Sequence, residues 1–180
     1  MERSRFVFSG SGGQGVITAA IILGEAAVLY ENLNAVQTQV YGAAARGGAT
    51  RSDLIISDSE IWFPKVVQPN VLVCLTQEAY NKYSPIIRPG GLLIVDAHHV
   101  QIGRRVDAVQ KELPIYQTVI DKIGEPIVFN VCMLGAVTAL TGVVQPVSIM
   151  KALKARVRKD LLGVNRQALD LGLELGGKAA

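Results

Sequence analysis

Residues 5–30, RFVFSGSGGQGVITAAIILGEAAVLY, decide the fold of this chain. Residues 5–9 have the aromatic and β-branched composition of a strand, and residues 16–30 are predicted to form a helix rich in Ala, Ile and Leu. The segment between them matches the pattern G-x-G-x-x-G. Because the helix is apolar almost all round, we expect it to pack on a sheet and on a second element as well.

The rest of the sequence alternates between strand-like and helix-like segments. The predicted strands are residues 35–40, 49–56, 71–75, 92–96 and 115–119. The predicted helices are residues 78–87, 130–140, 148–162 and 165–175, with Asn130 as an N-cap and Gly142 ending the same helix. Ser57-Asp58-Ser59 is predicted to turn a hairpin between residues 49–56 and 60–63. The Gly176-Gly177 tail is expected to fray.

These elements predict one domain over residues 1–180. Strands that alternate with helices give an α/β fold, with three α/β/α layers around a Rossmann-like sheet. The sheet is mostly parallel, and the predicted hairpin makes it mixed.

The composition indicates a globular protein with partners. Of its 180 residues, 49% are hydrophobic and only 18% are charged, against roughly 25% charged in ordinary soluble domains. This composition excludes disorder and coiled coils. Because so few residues are charged, we expect part of the surface to bind partner subunits or to mediate self-association of the chain alone. The net charge of +3 is too small to predict nucleic-acid binding. Neither a membrane span of ~20 apolar residues nor a signal peptide is evident, so we expect a cytoplasmic protein without membrane contact.

Cysteine and histidine usage argues against a metal centre. Cys74 and Cys132 lie in apolar segments, and we expect two buried thiols. Without a CxxC the chain cannot hold an iron–sulfur cluster by itself. Asp96, His98 and His99 are close in sequence, but adjacent histidines in an extended chain point to opposite faces, and no fourth ligand is evident. We predict no metal site and, without a nucleophile–base pair, no catalytic residue.

The glycine loop consists of Gly10, Ser11, Gly12, Gly13, Gln14 and Gly15. Unpaired N–H groups and the positive dipole end of the following helix suit a phosphate, and glycines allow it to come close. An NAD site also needs an acidic residue at the end of the second strand, where this chain has Gln37-Thr38-Gln39-Val40. The pattern thus predicts an anion site without recognition of an NAD ribose; the alternative is a tight turn without a ligand.

A second loop carries Arg46, Gly47 and Gly48 after the second predicted strand. It is predicted to lie at the same carboxyl edge of the sheet as the glycine loop, where ligands of α/β folds bind. An arginine between small residues can bind a phosphate or a carboxylate with two hydrogen bonds. The alternative is an ion pair with Asp53 or Glu60.

A basic stripe follows one face of the predicted 148–162 helix. It consists of Lys151, Lys154, Arg156, Arg158 and Lys159. We interpret it as a solvated face, with docking of a partner or of a phosphate as the alternative.

Several of these motifs, taken together, resemble one family. They are residues 10–16, Tyr41-Gly42 with Arg46-Gly47-Gly48, and Asn130 with Leu134-Gly135-Ala136. In this combination the chain resembles the gamma subunit of 2-oxoacid:ferredoxin oxidoreductases over nearly its whole length. Ser11 makes it more similar to the 2-oxoglutarate type, because pyruvate-type subunits more often have Arg at that place.

The resemblance implies a heteromeric enzyme that converts a 2-oxoacid and coenzyme A to an acyl-CoA and CO2, with ferredoxin as electron acceptor. It places thiamine diphosphate and [4Fe–4S] clusters on partner alpha, beta and ferredoxin-like delta subunits. On this chain it implies coenzyme A contacts by the glycine loop, by Arg46, Gly47 and Gly48, and by Asn130. Two alternatives stay open: the small subunit of indolepyruvate oxidoreductase, and a stand-alone nucleotide-binding or redox-sensing module.

Overall fold

The computed structural model describes residues 3–40, 49–103 and 105–180. Within these ranges six strands form one sheet in the order β2-β3-β1-β4-β5-β6. The strands are β1 Ser4–Gly10, β2 Asn34–Val40, β3 Thr50–Ser57, β4 Val71–Cys74, β5 Gly91–Asp96 and β6 Ala108–Leu113. Strands β1, β4, β5 and β6 run parallel, whereas β3 runs antiparallel to both of its neighbours, β1 and β2. Strand β2 therefore points the same way as β1, and the predicted mixed, mostly parallel sheet is confirmed.

Helices cover the two faces of this sheet unequally. They are α1 Val16–Tyr30, α2 Gln77–Tyr83, α3 Ile115–Lys122, α4 Phe129–Thr141, α5 Pro146–Arg156 and α6 Leu162–Ala179. Phe6 and Phe8 of β1 belong to the core that contains α1 and α3 to α6, whereas Val7 belongs to the core that contains α2. This alternation along a strand confirms the three layers. No helix in the described ranges is both long and apolar enough to cross a membrane.

Helix α1 has the predicted bounds and the predicted environment. It packs on β1, β2 and β3 with one side and on α4 and α5 with the other, which explains why it is apolar almost all round. Its one acidic residue, Glu25, accepts two hydrogen bonds of 2.5 Å from the guanidinium of Arg156 on α5. These bonds hold the pKa of the Glu25 carboxyl below its ordinary value. The pair thereby joins the first helix to the last third of the chain.

Helices α4 and α6 approach each other through glycines. A Cβ on Gly172 of α6 would collide with the carbonyl oxygen of Cys132 on α4, and one on Gly135 of α4 would collide with that of Leu169. A Cβ on Gly176 would stand 2.6 Å from the carbonyl oxygen of Ala136. The expectation that the tail frays is therefore wrong, because these contacts hold α6 in helical form up to Ala179.

Two strand predictions are wrong. Residues 60–63 do not form a strand; the antiparallel partners of β3 are β1 and β2, not a segment after Ser57-Asp58-Ser59. Pro64 and Pro69 in that region lack the N–H donors that a ladder needs. Residues 115–119 are helical, because Ile115 and Val119 are both buried and lie one helical turn apart on the same face.

Several helix boundaries also differ from the prediction. Helix α4 begins at Phe129, after a 3-10 turn over Pro126–Val128, so Asn130 lies inside its first turn and is not the cap. Gly142 ends this helix with φ +59°, as predicted. The predicted 148–162 helix begins at Pro146, a residue with a φ suited to the first helical position, and ends at Arg156. Helix α6 begins at Leu162, three residues before the predicted start.

Both cysteines are buried, as the sequence predicts. Burial raises the pKa of each thiol to about 12, and the nearby carboxylate of Asp96 adds to the effect at Cys132. Because the thiolate is the reactive form, we expect iodoacetamide to label neither residue in the native chain at about pH 8 and both in denaturant. Mass spectrometry after each treatment measures this. Rapid native labelling of either cysteine would contradict the buried placement.

Candidate active-site edge

The glycine loop joins β1 to α1 in a conformation that requires glycine at two positions. Gly15 is the N-cap of α1 with φ +72°, in the left-handed region that favours glycine. A Cβ there would stand 2.5 Å from Nδ2 of Asn130. Gly13 has φ +91°, also in this region. Of the three glycines in the G-x-G-x-x-G pattern, Gly15 is therefore required by the backbone conformation, whether or not a ligand binds.

Gln14 fixes the shape of the loop. Its Oε1 accepts a hydrogen bond of 2.8 Å from the N–H of Ser11, and its Nε2 donates one of 3.4 Å to the carbonyl oxygen of Leu75. Leu75 directly follows β4, the neighbour of β1, and its N–H donates to the carbonyl oxygen of Ser9. A Cβ on Gly10 would collide with Oε1 of Gln14. Gln14 thus has a structural role that the pattern G-x-G-x-x-G does not indicate.

Asn130 lies against the same loop, although 115 positions separate it from Gly15. It is buried in the first turn of α4, and its Nδ2 donates a hydrogen bond of 3.4 Å to the carbonyl oxygen of Gly15. The structure therefore brings the glycine loop and Asn130 together, as the family resemblance implies. The amide of Asn130 braces the start of α1.

The start of α1 has the properties of an anion site. Gly12 and Gly13 are exposed, and a Cβ on either would meet nothing within 4 Å. Among the described residues no side chain caps α1, and its first turn holds no acidic residue. Free N–H groups and a positive dipole end at a helix start suit a phosphate or another anion.

The second predicted loop lies between two described strands. Arg46, Gly47 and Gly48 are outside the described residues. Strand β2 ends and strand β3 begins at the edge of the sheet that carries the glycine loop. Val40 pairs with Arg51, and Thr50 pairs with Gly10 at the start of the glycine loop. Asp53, one alternative partner for Arg46, accepts hydrogen bonds of 2.5 and 2.8 Å from Arg51.

Asp96 is a buried acid at the end of β5, and the sequence indicated it only as a candidate metal ligand. Asp96 accepts a hydrogen bond of 2.6 Å from Nδ1 of His99 and one of 2.8 Å from the N–H of Tyr116. The rings of His98 and His99 lie 4.8 Å apart in a turn, so the expectation that they point to opposite faces is wrong. In the described ranges no three His, Cys, Asp or Glu side chains are placed to hold a metal ion.

Phe129 links this acid–histidine pair to the glycine loop. Its ring centroid lies 6.1 Å from that of His99, and the next residue on α4 is Asn130, which contacts Gly15. The pair and the loop thus share the carboxyl edge of the sheet. A histidine three positions after a carboxylate that ends a buried strand is the signal that could have found this contact.

The basic stripe is exposed, as interpreted from the sequence, but it does not follow one continuous helix. Arg156, at the end of α5, is paired with Glu25, and Arg158 is paired with Asp160 at 2.7 Å. Lys151 lies 5.3 Å from the ring centroid of Tyr30. Most of these charges thus already have partners within the chain.

Comparison with known proteins identifies the family. The family model described as pyruvate ferredoxin/flavodoxin oxidoreductase matches residues 5–175. The chain belongs to this family. It is 45% identical over 175 residues to the 2-oxoglutarate synthase subunit KorC of Methanocaldococcus jannaschii, covering 96% of this chain and 94% of that protein.

Solved structures agree with the assignment to the pyruvate ferredoxin/flavodoxin oxidoreductase family. The gamma subunit of a keto/oxoacid ferredoxin oxidoreductase from Geobacter sulfurreducens superposes with a TM-score of 0.91 at 40% identity, covering 99% of both chains. The 2-oxoglutarate:ferredoxin oxidoreductase of Magnetococcus marinus shares the fold, with a TM-score of 0.89 at 18% identity, over all of this chain and 32% of that one. That enzyme was solved with 2-oxoglutarate, coenzyme A and succinyl-CoA bound. The predicted resemblance to gamma subunits of this family is confirmed.

Proposed function

We propose that this chain is the gamma-type subunit, one domain over residues 1–180, of a cytoplasmic 2-oxoglutarate:ferredoxin oxidoreductase. The observation that carries the proposal is the 45% identity to a 2-oxoglutarate synthase subunit over nearly the full length of both proteins. The enzyme converts 2-oxoglutarate, coenzyme A and oxidised ferredoxin to succinyl-CoA, CO2 and reduced ferredoxin. Its other subunits are of the alpha, beta and ferredoxin-like delta kinds.

The redox chemistry belongs to those other subunits. This chain has only two cysteines, which are buried with raised pKa values and therefore do not fit a [4Fe–4S] cluster. Its sequence also contains no thiamine diphosphate motif of the GDG kind. We therefore assign no catalytic residue to it. Thiamine diphosphate, bound by a partner, supplies the electron sink for decarboxylation of the 2-oxoacid.

The contribution of this chain is to bind coenzyme A. The proposed contacts are Gly10, Ser11, Gly12, Gly13, Gln14, Gly15, Arg46, Gly47, Gly48 and Asn130. The start of α1, next to the exposed Gly12 and Gly13, offers N–H donors and a positive dipole end to a phosphate of coenzyme A or to its pantetheine arm. Arg46 adds a charge from the neighbouring loop, and Asn130 acts by holding the carbonyl of Gly15, which keeps the loop in place. Coenzyme A in the Magnetococcus marinus relative supports this ligand.

Experiments on the purified chain and on the whole enzyme test whether the redox chemistry belongs to the other subunits. We expect the chain alone to contain no iron and to oxidise no 2-oxoacid, because it lacks the ligands for a cluster. Mixing it with its partner subunits should restore coenzyme A-dependent oxidation of 2-oxoglutarate. Iron analysis and an acceptor-reduction assay measure both. Stoichiometric iron in the isolated chain would contradict the proposal.

A further inference from the structure

A basic groove opens at the amino edge of the sheet, opposite the glycine loop. Arg5 lies at the start of β1 and Arg88 lies just before β5, so both stand where parallel strands begin. The rest of the lining comes from Pro89 and from residues 63–68, in the segment between β3 and β4. The groove has a volume of about 590 Å³. We call it the amino-edge groove.

Among the residues that the structure describes, the cations of this groove have no anionic partner. The side chains of Arg5, Lys65 and Arg88 form no ion pair within 4 Å with any residue that the structure describes, and no acidic residue lines the groove. Both arginines are half-buried. Elsewhere in the structure Arg51, Arg156 and Arg158 are each paired with a carboxylate. Partly desolvated guanidinium groups gain most from a carboxylate that binds with two hydrogen bonds.

Large apolar side chains accompany these cations: Phe63 and Val67 line the groove, and Trp62 directly precedes Phe63 in the chain. Trp62 is 85% exposed, Val67 is 62% exposed and Phe63 is 58% exposed. Trp and Arg are the residue types most enriched among those that dominate binding energy at protein interfaces. A small anion would satisfy the charges but would leave these apolar surfaces in water. A polypeptide segment that carries carboxylates and an apolar side chain covers both the charges and the apolar surfaces.

The groove is formed before any partner binds. The N–H of Arg5 donates to Oδ1 of Asn70 at 3.0 Å, and the N–H of Arg88 donates to the carbonyl oxygen of Pro69 at 3.1 Å. Arg51 donates a hydrogen bond of 2.8 Å to the carbonyl oxygen of Val66, whose side chain is buried. The exposed side chains therefore stand on a segment that is held at Val66, Pro69 and Asn70, which lowers the entropic cost of docking.

We propose that the amino-edge groove docks an acidic segment of another subunit of the same enzyme, with carboxylates on Arg5, Lys65 and Arg88 and an apolar side chain on Phe63 and Val67. The inference rests on the proposed function. A second copy of this chain is a poor occupant, because a two-fold contact at this groove would bring the same cations together. The carboxyl edge, with the glycine loop, stays free for coenzyme A.

The first test measures assembly of the whole complex. Phe63→Ala combined with Arg88→Glu should weaken binding of this chain to its partner subunits at least about thirty-fold. Val147→Ala combined with Arg166→Glu, exposed residues of α5 and α6, is the matched control and should change binding less than about three-fold. Circular dichroism checks that both variants fold. Equal affinities of the two variants would overturn the inference.

A second test uses the unmodified complex, so it does not depend on folding of a variant. A zero-length carboxyl-to-amine cross-linker should join Lys65 to an Asp or Glu of another subunit, identified by mass spectrometry. Cross-links of Lys65 only within this chain, or to a second copy of it, would overturn the inference. If the wild-type chain binds no partner subunit at all, both the proposed function and the inference are wrong. If the complex assembles normally but this cross-link is absent, only the inference is wrong.

Discussion

Gly172→Ala should lower the free energy of unfolding by about 3 kcal/mol or more, with a fall in Tm of roughly 6–12 °C. The new Cβ would collide with the carbonyl oxygen of Cys132 and would stand 2.8 Å from its carbonyl carbon and 2.9 Å from the N of Ala136. These are backbone atoms of a buried helix, so no side-chain rotation can relieve the contact. The α4–α6 interface would have to separate. Thermal and denaturant unfolding of the purified chain measures the change.

Gly177→Ala is the matched control. This residue lies on the same helix, is exposed, and a Cβ there would meet nothing within 4 Å. Because alanine is the better helix former, we expect this variant to be as stable as wild type or up to about 1 kcal/mol more stable. Similar losses in both variants would show that close helix packing is not the cause.

Arg46→Ala should raise the KM for coenzyme A about ten- to 150-fold in the assembled enzyme. The range corresponds to loss of one charged hydrogen bond, roughly 1.5–3 kcal/mol. The KM for the 2-oxoacid should not change, because that substrate reacts at the thiamine site on another subunit. Steady-state kinetics of the reassembled complex gives both constants. The KM for coenzyme A of Arg46→Lys should lie between the values of wild type and Arg46→Ala. Lysine keeps the positive charge but cannot donate two parallel hydrogen bonds to one anion.

Size-exclusion chromatography separates this role from a structural one. If Arg46 only braces the subunit interface, Arg46→Ala loses assembly and leaves the KM for coenzyme A of the remaining complex unchanged. Arg166→Ala, at an exposed position of α6, controls for loss of a positive charge and should alter neither property. An intact Arg46→Ala complex with a wild-type KM for coenzyme A would remove Arg46 from the proposed site.

Sequence reasoning succeeded where the signal is local. The first strand, the glycine turn and helix α1 were predictable because composition, glycine spacing and apolar run length all agree over residues 5–30. Gly142 was predictable for the same reason, since a glycine after an apolar helix suits the left-handed cap that it forms. The prediction of a strand over residues 115–119 was wrong, because their β-branched residues favour a strand but burial of Ile115 and Val119 on one face selects a helix.

The candidate site was only partly predictable, because its contacts join distant parts of the chain. The glycine loop is contiguous in sequence, but the packing of Asn130 on Gly15 requires α4 to be placed beside α1. The hydrogen bond from Gln14 to Leu75 likewise depends on pairing of β1 with β4. In the same way, Arg5 and Arg88 meet only because their strands begin at one edge of the sheet. Family resemblance gave Asn130 a place in the site without giving this reason for it.

Co-purification with a tagged copy of this chain from its own cells tests whether it is a subunit of a 2-oxoglutarate:ferredoxin oxidoreductase. We predict that larger subunits accompany the tagged chain, that the complex contains thiamine diphosphate and iron, and that it reduces ferredoxin only when 2-oxoglutarate and coenzyme A are both present. A tagged chain that purifies alone as a stable monomer, without iron or thiamine diphosphate, would contradict it.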